Sequence, residues 1–318
     1  MAVFRKQPQI NFNVHFEEMK KVKAYLRGGL GNQCFIYATA RALAVRAGAE
    51  LELDIGCFKD DYVYRREYSL GWFNVAGTIL PVDSKPFRLA KAIRHKVFTR
   101  LQLNGMGNYH CDYYPYTYHP LPEDWRGTLV FDGYWQSENY YYGERETLLS
   151  DFRLKDESAL KGDRMAEKIL VCNCPVFVHM RSYGEVPAGK GAVPVGSAFY
   201  ENAIAVLREN LGDRMTLFLF SDNLAWAKER IHDIASARGL EAFCVEPEDS
   251  SALPGEIRDF TLMQMCHHGI VANSSFSRFA AWLGEQRNIA AGRSPIYVHN
   301  SRKKNGYCPE RWIRVDAD

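Results

Sequence analysis

The chain has 318 residues, of which 47% are hydrophobic and 25% charged, and this length predicts two domains of ordinary size. A formal net charge of +2 argues against a polybasic nucleic-acid-binding protein. No stretch approaches the roughly 18 consecutive apolar residues that cross a bilayer, and residues 1–21 lack the apolar segment of a signal peptide. We therefore expect a cytoplasmic protein that binds no nucleic acid and associates at most weakly with a membrane surface.

The eight cysteines are scattered singly, apart from Cys172 and Cys174. Alternate residues of a strand point to opposite faces, so this pair is poorly placed to form a disulfide. We expect free thiols in a reducing compartment rather than a disulfide framework.

The first half of the chain begins with the pattern of a parallel-sheet unit. A short strand is predicted at residues 22–26, followed by a glycine-rich loop, a helix at 32–47 and an alternating strand at 50–54. Residues 57–142 are irregular and rich in aromatic side chains, so mostly loops and short helices are expected there. An apolar strand resumes within residues 129–135, and a helix follows it.

The second half alternates strands and helices more regularly, which is typical of a doubly wound parallel sheet. The predicted strands are 175–179, 215–220, 242–245 and 269–272, and the predicted helices are 197–210, 224–237, 257–268 and 276–283. The predicted α/β organisation is an N-terminal extension (1–20), an N-terminal α/β domain on the acceptor side (21–155) and a C-terminal Rossmann-like donor-binding domain (156–318). Residues that follow the strands should line a cleft between the two sheets.

The loop before the first helix, RGGLGNQ, has the composition of a ligand-binding turn. Gly29 and Gly31 allow close approach to the backbone, and the amides of Asn32 and Gln33 can donate and accept hydrogen bonds at the helix N-terminus. A cysteine stands where a dinucleotide fingerprint needs a third glycine or alanine. Asp54 lies where such a fingerprint expects an acidic residue, so a dehydrogenase stays an alternative, and close helix–sheet packing would also explain the glycines.

His179 and Arg181 directly follow a predicted buried strand. Arg181 offers a planar and permanently charged set of donors that suits a diphosphate, and a surface ion pair is the alternative. His179 is either a base or a structural hydrogen-bonding group. The following segment, 184–196, contains glycines and prolines and is a candidate lid.

Two further strand ends carry polar residues. Ser221 and Asp222 follow a strand, and the carboxylate can accept hydrogen bonds from ribose or guanine or cap the next helix. Hydroxyls and backbone N–H groups at the start of a later helix form an uncharged phosphate cradle. The members of this cradle are Asn273, Ser274, Ser275 and Phe276.

The sequence offers no convincing set of metal ligands. Cys266, His267 and His268 are neighbours near the end of a predicted helix, where adjacent side chains do not share a face. Asp60 and Asp61 lack the strand context of a manganese-binding acidic motif. We therefore expect neither a metal ion nor a bound cofactor.

Taken in chain order, the motifs resemble those of the bacterial α-1,2-fucosyltransferases, glycosyltransferase family eleven. The matching stretches are GGLGNQ, FDGYWQSENYY, VHMR, FSDN and VANSSFSRFAAWL, with a weaker match in CPERWIRV. The opening loop also resembles that of the protein O-fucosyltransferases. The resemblance implies a GT-B fold, a GDP-β-L-fucose donor, inversion at the anomeric carbon and no required metal. The implied acceptor is the 2-hydroxyl of a terminal galactose on an oligosaccharide or glycolipid, as in O-antigen synthesis.

The resemblance also implies roles for individual residues. Arg181 corresponds to the family's essential arginine on the donor diphosphate, with Asn32 beside it. Asp222 is expected to contact the nucleoside, and Ser274 and Ser275 to hold phosphates. The family usually has His-x-Arg-Arg-Gly-Asp where this chain has HMRSYG, so the second arginine and the aspartate are absent.

Cleavage of a fucosyl–diphosphate bond builds positive charge on the sugar and negative charge on the departing phosphate. Arg181 and the helix-start amides would stabilise the leaving group without a metal. Candidate bases for the acceptor hydroxyl are Glu185, His179 and Asp54, and assistance by the diphosphate itself is a further alternative. Asp54 and Trp135 are also the candidate acceptor contacts, because an indole ring can stack on a sugar face.

Two other functions stay open on the sequence alone. One is a dinucleotide-dependent oxidoreductase that uses the glycine loop. The other is a non-catalytic glycan-binding protein of the same fold, which has lost the second arginine and the aspartate of the family motif.

Overall fold

The computed structural model describes residues 19–62, 64–103, 106–112, 118–184, 193–236, 238–248, 251–300 and 308–316. Within them lie two sheets in which every strand pair is parallel. The first sheet has the order β3-β2-β1-β5-β4. Its strands are β1 (Lys21–Tyr25), β2 (Glu50–Asp54), β3 (Thr78–Ile79), β4 (Tyr109–Cys111) and β5 (Thr128–Asp132).

Three α-helices accompany the first sheet, namely α1 (Leu30–Ala47), α2 (Lys85–Arg100) and α3 (Arg145–Asp151). Helix α1 ends at Gly48, whose φ of +60° is the left-handed conformation that glycine adopts at helix ends. Most of α1 is buried. Its apolar residues therefore extend around the helix instead of forming one stripe.

The second sheet has the order β11-β10-β9-β6-β7-β8. Its strands are β6 (Pro175–Met180), β7 (Thr216–Ser221), β8 (Glu241–Cys244), β9 (His268–Val271), β10 (Tyr297–Asn300) and β11 (Ile313–Val315). The accompanying helices are α4 (Arg164–Val171), α5 (Ser197–Leu211), α6 (Leu224–Ser236), α7 (Gly255–Met265) and α8 (Ser275–Ala290). Strand β6 lies between β9 and β7, and all six of its residues are buried, as expected for a central parallel strand.

The two predicted parallel-sheet units are confirmed, and the predicted strands and helices lie within a few residues of the observed ones. The sequence did not predict β3, β4, β10 and β11. It also missed the sixteen-residue helix α2, in the segment expected to hold mostly loops and short helices. Helix α7 ends at Met265, so His268 belongs to strand β9 rather than to the helix end predicted for it.

The two halves of the chain share an apolar core where α1 packs against α8. The rings of Phe35 on α1 and Phe279 on α8 meet edge to face with their centroids 5.0 Å apart. At the starts of the two helices, a Cβ atom on Gly31 would lie 2.3 Å from the backbone nitrogen of Phe276. Only glycine permits this approach, which brings both helix N-termini to the same edge of the interface.

Candidate functional site

A cleft of about 530 Å³ lies between the carboxyl ends of the two sheets. This is where ligands bind in parallel α/β folds. Its walls come from both halves of the chain and include the first turns of α1 and α8. The lining residues that the sequence also singled out are Gly29, Gly31, Asn32, His179, Arg181, Ser221, Asp222, Asn273, Ser274, Ser275 and Phe276.

Arg181 lies directly after β6, and its guanidinium forms an ion pair with Asp222 at 3.0 Å. Burial lowers the pKa of Arg181, Asp222 opposes that shift, and the positive charge of Arg66 adds to it. An arginine keeps its charge under such a shift. The guanidinium of Arg181 is therefore held in the cleft by Asp222, and the guanidinium of Arg66 is close enough to affect its pKa.

Asp222 organises the chain that follows Arg181. Its carboxylate accepts hydrogen bonds from the backbone N–H of Ser182 (2.7 Å), the hydroxyl of Ser182 (2.9 Å) and the backbone N–H of Tyr183 (3.1 Å). Asp222 does not cap α6, because Asn223 accepts from the N–H of Trp226. The nucleoside contact that the sequence suggested for Asp222 stays a prediction.

Tyr183 has a φ of +57°, in the left-handed region that favours glycine. It occupies the glycine position of the His-x-Arg-Arg-Gly-Asp motif. Its hydroxyl lies 2.9 Å from the backbone oxygen of Asn273 and 3.0 Å from the side-chain oxygen of the same residue. The tyrosine thus links the loop after β6 to the loop that precedes α8.

His179 is 4% exposed and lines the cleft from the end of β6. Burial, assisted by the charge of Arg181, lowers the pKa of His179 to about 3. The imidazole is therefore neutral at physiological pH and has one donor and one acceptor nitrogen. Its Nδ1 is buried and has no hydrogen-bond partner among the described residues. Such a group suits a hydrogen bond to a ligand better than general base catalysis.

The cradle predicted at residues 273–276 forms the start of α8. Ser274 is the N-cap, and its hydroxyl accepts from the backbone N–H of Phe276 at 3.3 Å. The first turn of this sixteen-residue helix faces the cleft. The N–H groups and the dipole of a helix N-terminus favour an anion there.

The two amide residues of the glycine loop, Asn32 and Gln33, have different surroundings. Asn32 lines the cleft, where its side-chain oxygen accepts from Gln136 at 2.7 Å. Gln33 is fully buried and does not line the cleft. Its amide nitrogen donates to the backbone oxygens of Gly28 and Glu67, and its oxygen accepts from the N–H of Ser69. Gln33 therefore holds the neighbouring loop, whereas the sequence predicted that it contacts the sugar-nucleotide donor.

Two other predicted residues, Asp54 and Trp135, do not line the cleft, and a third lies outside the described residues. Asp54 accepts from Lys91 and from the backbone N–H of Gly56, away from the cleft. Trp135 is 1% exposed and packs edge to face on Phe131, so its ring has no open face for a sugar. Glu185, with much of the candidate lid, lies outside the described residues.

Several lining residues were missed by the sequence analysis. Arg66 comes from an irregular segment without a motif, and its guanidinium carbon would lie 3.9 Å from a Cβ atom built on Gly29. Glu256 and Asp259 are three residues apart on α7, which puts them on one helix face, and this spacing was the available signal. Burial raises the pKa of Asp259 to about 7. The remaining missed residues are Leu30, Tyr134, Gln136, Tyr183, Phe220 and Met263.

No group of three or more His, Cys, Asp or Glu side chains in the described part of the chain is arranged to hold a metal ion. All eight cysteines are free. Among the described helices, none is both long enough and apolar enough to cross a membrane.

Two parallel α/β units that face each other across a ligand-sized cleft form the architecture of the GT-B glycosyltransferases. The sequence profile of "Glycosyl transferase family 11" matches residues 21–315, and the chain belongs to that family.

Several curated relatives match along most of their length. An alpha-1,2-colitosyltransferase of Escherichia coli is 26% identical over 309 residues, covering 94% of this chain and all of the relative. The O-antigen biosynthesis glycosyltransferase WbnK of Escherichia coli is 28% identical over 318 residues, covering 91% of this chain and 99% of the relative. Galactoside alpha-(1,2)-fucosyltransferase 2 of Bos taurus is 25% identical, covering 92% of this chain and 78% of the relative.

A solved structure of a mutant Arabidopsis thaliana FUT1 in complex with GDP shares the fold. Its TM-score is 0.53 at 12% identity, covering 92% of this chain and 73% of that chain. The likeness supports the assignment of the fold.

Proposed function

We propose that this protein transfers L-fucose from GDP-β-L-fucose to the 2-hydroxyl of a terminal galactose, with inversion and without a metal ion. The acceptor would be an oligosaccharide or glycolipid of bacterial surface-glycan synthesis, handled in the cytoplasm. Membership of family 11 and the names of the three relatives support this reaction class. The observation that carries the proposal is that Arg181 and the start of α8 line the same cleft.

The proposed donor site places the diphosphate between Arg181 and the first turn of α8. Both groups carry positive charge or partial charge, and both are held by the protein before any ligand binds. Arg66 supplies a second guanidinium from the other half of the chain. In this proposal it compensates for the serine at position 182, where the family has its second arginine.

Catalysis would depend mainly on the leaving group. As the glycosidic bond breaks, charge develops on the sugar ring and on the departing diphosphate, and fixed donors stabilise the latter. His179 would donate a hydrogen bond as a neutral imidazole. Its low pKa makes it a weak base, and Asp54 is held by Lys91 outside the cleft. Glu185 is therefore the proposed base for the acceptor hydroxyl.

Colitosyl transfer is the second candidate, because a colitosyltransferase is among the relatives that match over nearly the whole chain. Colitose is fucose without its 3-hydroxyl group, so both donors would place the same nucleotide on Arg181. A site that hydrogen-bonds the 3-hydroxyl would discriminate strongly between the two sugars. Parallel assays with GDP-fucose and GDP-colitose decide between them.

The test is release of GDP from each donor in the presence of a panel of β-galactosides, with and without a chelator. We expect turnover that survives the chelator and falls at least about a hundredfold in Arg181→Ala. Arg208→Ala is the matched control, because Arg208 lies on the surface of α5 and pairs with Asp213. In Glu185→Gln we expect a lower kcat with unchanged GDP binding.

The proposal fails if the folded protein binds no GDP and turns over neither donor. NAD(P)H binding at the glycine loop would instead favour an oxidoreductase. Galactoside binding that is independent of GDP, without turnover, would favour a non-catalytic glycan-binding protein.

A further inference from the structure

Helix α2 is oriented with its charged side toward the protein. Arg88 forms two hydrogen bonds with Asp60, at 2.7 and 2.9 Å, and Lys91 pairs with Asp54 and Asp83. One turn later, Arg94 lies over the ring of Tyr109 at 4.0 Å and His95 contacts Asp132 at 2.9 Å. These residues recur every three or four positions, so they define one face of the helix.

The opposite face of α2 exposes apolar side chains to solvent. Leu89 is 60% exposed and Ile93 is 55% exposed, and they are four residues apart on that face. No residue of α2 is fully buried. Surface helices of globular proteins normally show the reverse arrangement, with the apolar stripe against the core. Further exposed apolar side chains on or beside α2 are Ile79, Val82, Phe87, Val97, Leu101 and Met106.

The same face carries positive charge. Of the six lysines and arginines of α2, three face the protein and three face solvent, and the helix has no aspartate or glutamate, although the whole chain has a net charge of only +2. Lys85, Lys96 and Arg100 are exposed among the apolar residues. Long basic side chains of this kind can extend to a polar boundary while the apolar residues between them leave water.

We propose that α2 docks on an anionic lipid bilayer, lying in the plane of the headgroups with Leu89 and Ile93 inserted. The combination of exposed apolar residues with flanking lysines and arginines is that of an interfacial helix. A protein partner would need a complementary acidic surface, whereas an anionic bilayer offers negative charge and an apolar interior to the same helix face. This inference does not depend on the donor or acceptor of the proposed reaction.

The test is co-sedimentation of the full-length protein with lipid vesicles. We expect binding to vesicles of phosphatidylcholine and phosphatidylglycerol that weakens with added salt, and little binding to phosphatidylcholine alone. The double variant Leu89→Ser with Ile93→Ser should bind about tenfold more weakly or worse. Its control changes two exposed apolar residues elsewhere, Leu170→Ser with Val171→Ser on α4, and should bind as the unaltered protein does.

A charge variant tests the second half of the inference. Lys96→Glu with Arg100→Glu should also lose about tenfold in binding, because each basic residue contributes near an anionic surface. Lys155→Glu with Lys161→Glu makes the same change in net charge at exposed positions outside α2 and should leave binding intact. Unchanged thermal unfolding of all four variants shows that they fold.

Three results would overturn the proposal. The first is no binding of the unaltered protein to anionic vesicles. The second is equal binding by the α2 variants and their controls. The third is a dimer in sedimentation equilibrium, without lipid, that the Leu89 and Ile93 substitutions disperse, since the helix face would then be a contact between two copies of the chain.

Discussion

At the residue scale, several contacts hold the loop after β6, whose sequence departs from the family motif. Tyr183 stands at the position of the motif's glycine with a left-handed φ of +57°, and its hydroxyl contacts Asn273. Asp222 binds the N–H groups of Ser182 and Tyr183. These contacts, together with the ion pair between Arg181 and Asp222, hold the guanidinium of Arg181 in the cleft, although the chain lacks the second arginine and the aspartate of the motif.

Asp259 gives a prediction of pH dependence. Burial raises its pKa from 3.8 to about 7, with Asp163 adding to the shift and Arg258 opposing it. The folded state therefore binds more protons than the unfolded state between about pH 4 and pH 7, and the contribution of Asp259 to the free energy of unfolding falls as pH rises through that window. Asp259→Asn should remove this loss and stabilise the protein at about pH 8 by on the order of 2 kcal/mol.

Denaturant unfolding of both proteins at about pH 5 and about pH 8 measures the effect. His179 acts in the opposite sense, because its lowered pKa makes the folded state bind fewer protons between about pH 3 and pH 6.5. The comparison of the two proteins cancels that term. A stability difference that does not change between the two pH values would contradict the raised pKa of Asp259.

At the scale of elements, the contact between α1 and α8 depends on Gly31. A Cβ atom there would lie 2.3 Å from the backbone nitrogen of Phe276 and 2.4 Å from the carbonyl carbon of Ser275, and backbone atoms cannot rotate aside. Gly31→Ala should lower the free energy of unfolding by about 3 kcal/mol. Gly143→Ala is the control, since nothing lies within 4 Å of its Cβ position, and it should change stability by less than about 0.5 kcal/mol.

Denaturant unfolding with a constant m-value is the measurement. Equal stability of the two alanine variants would show that α1 and α8 can separate at no cost. It would also contradict the argument that Gly31 is needed for the packing of α1 against α8.

The elements β6, α1 and α2 show what the sequence could and could not predict. Strand, loop and helix were predictable because β6 is a continuous apolar run and polar residues follow it directly. The role of Gly31 was not, because its partner is the backbone of a helix about 240 residues later in the chain. Helix α2 was missed for a related reason, since its charged face is turned inward.

Contacts between distant segments also determined which lining residues of the cleft could be predicted from the sequence. His179, Arg181 and Ser274 were found from their positions after strands. Arg66 enters the cleft from an irregular loop, and no local pattern indicates it. Trp135 was predicted to stack on a sugar of the acceptor. Its ring instead lies in the aromatic core, where it packs edge to face with Tyr140.

At the scale of the whole molecule, the cleft is a junction between the two halves of the chain, so a ligand that contacts both walls should stabilise the fold as a unit. A ligand at about 100 times its Kd adds about 2.7 kcal/mol to the free energy of unfolding. For a chain of this length, GDP should then raise the Tm by about 4 °C. Calorimetry with and without GDP checks this value.

The variants connect that shift to the cleft. Arg181→Ala should lose the GDP-induced rise, while Arg208→Ala keeps it, because only the first removes a cation from the cleft. NADH should produce no comparable rise in either. A rise with GDP that survives in Arg181→Ala would place the nucleotide elsewhere, and a rise with NADH alone would assign the glycine loop to a dinucleotide. Either result would contradict the proposed transfer reaction but not the fold, because the fold does not depend on a ligand.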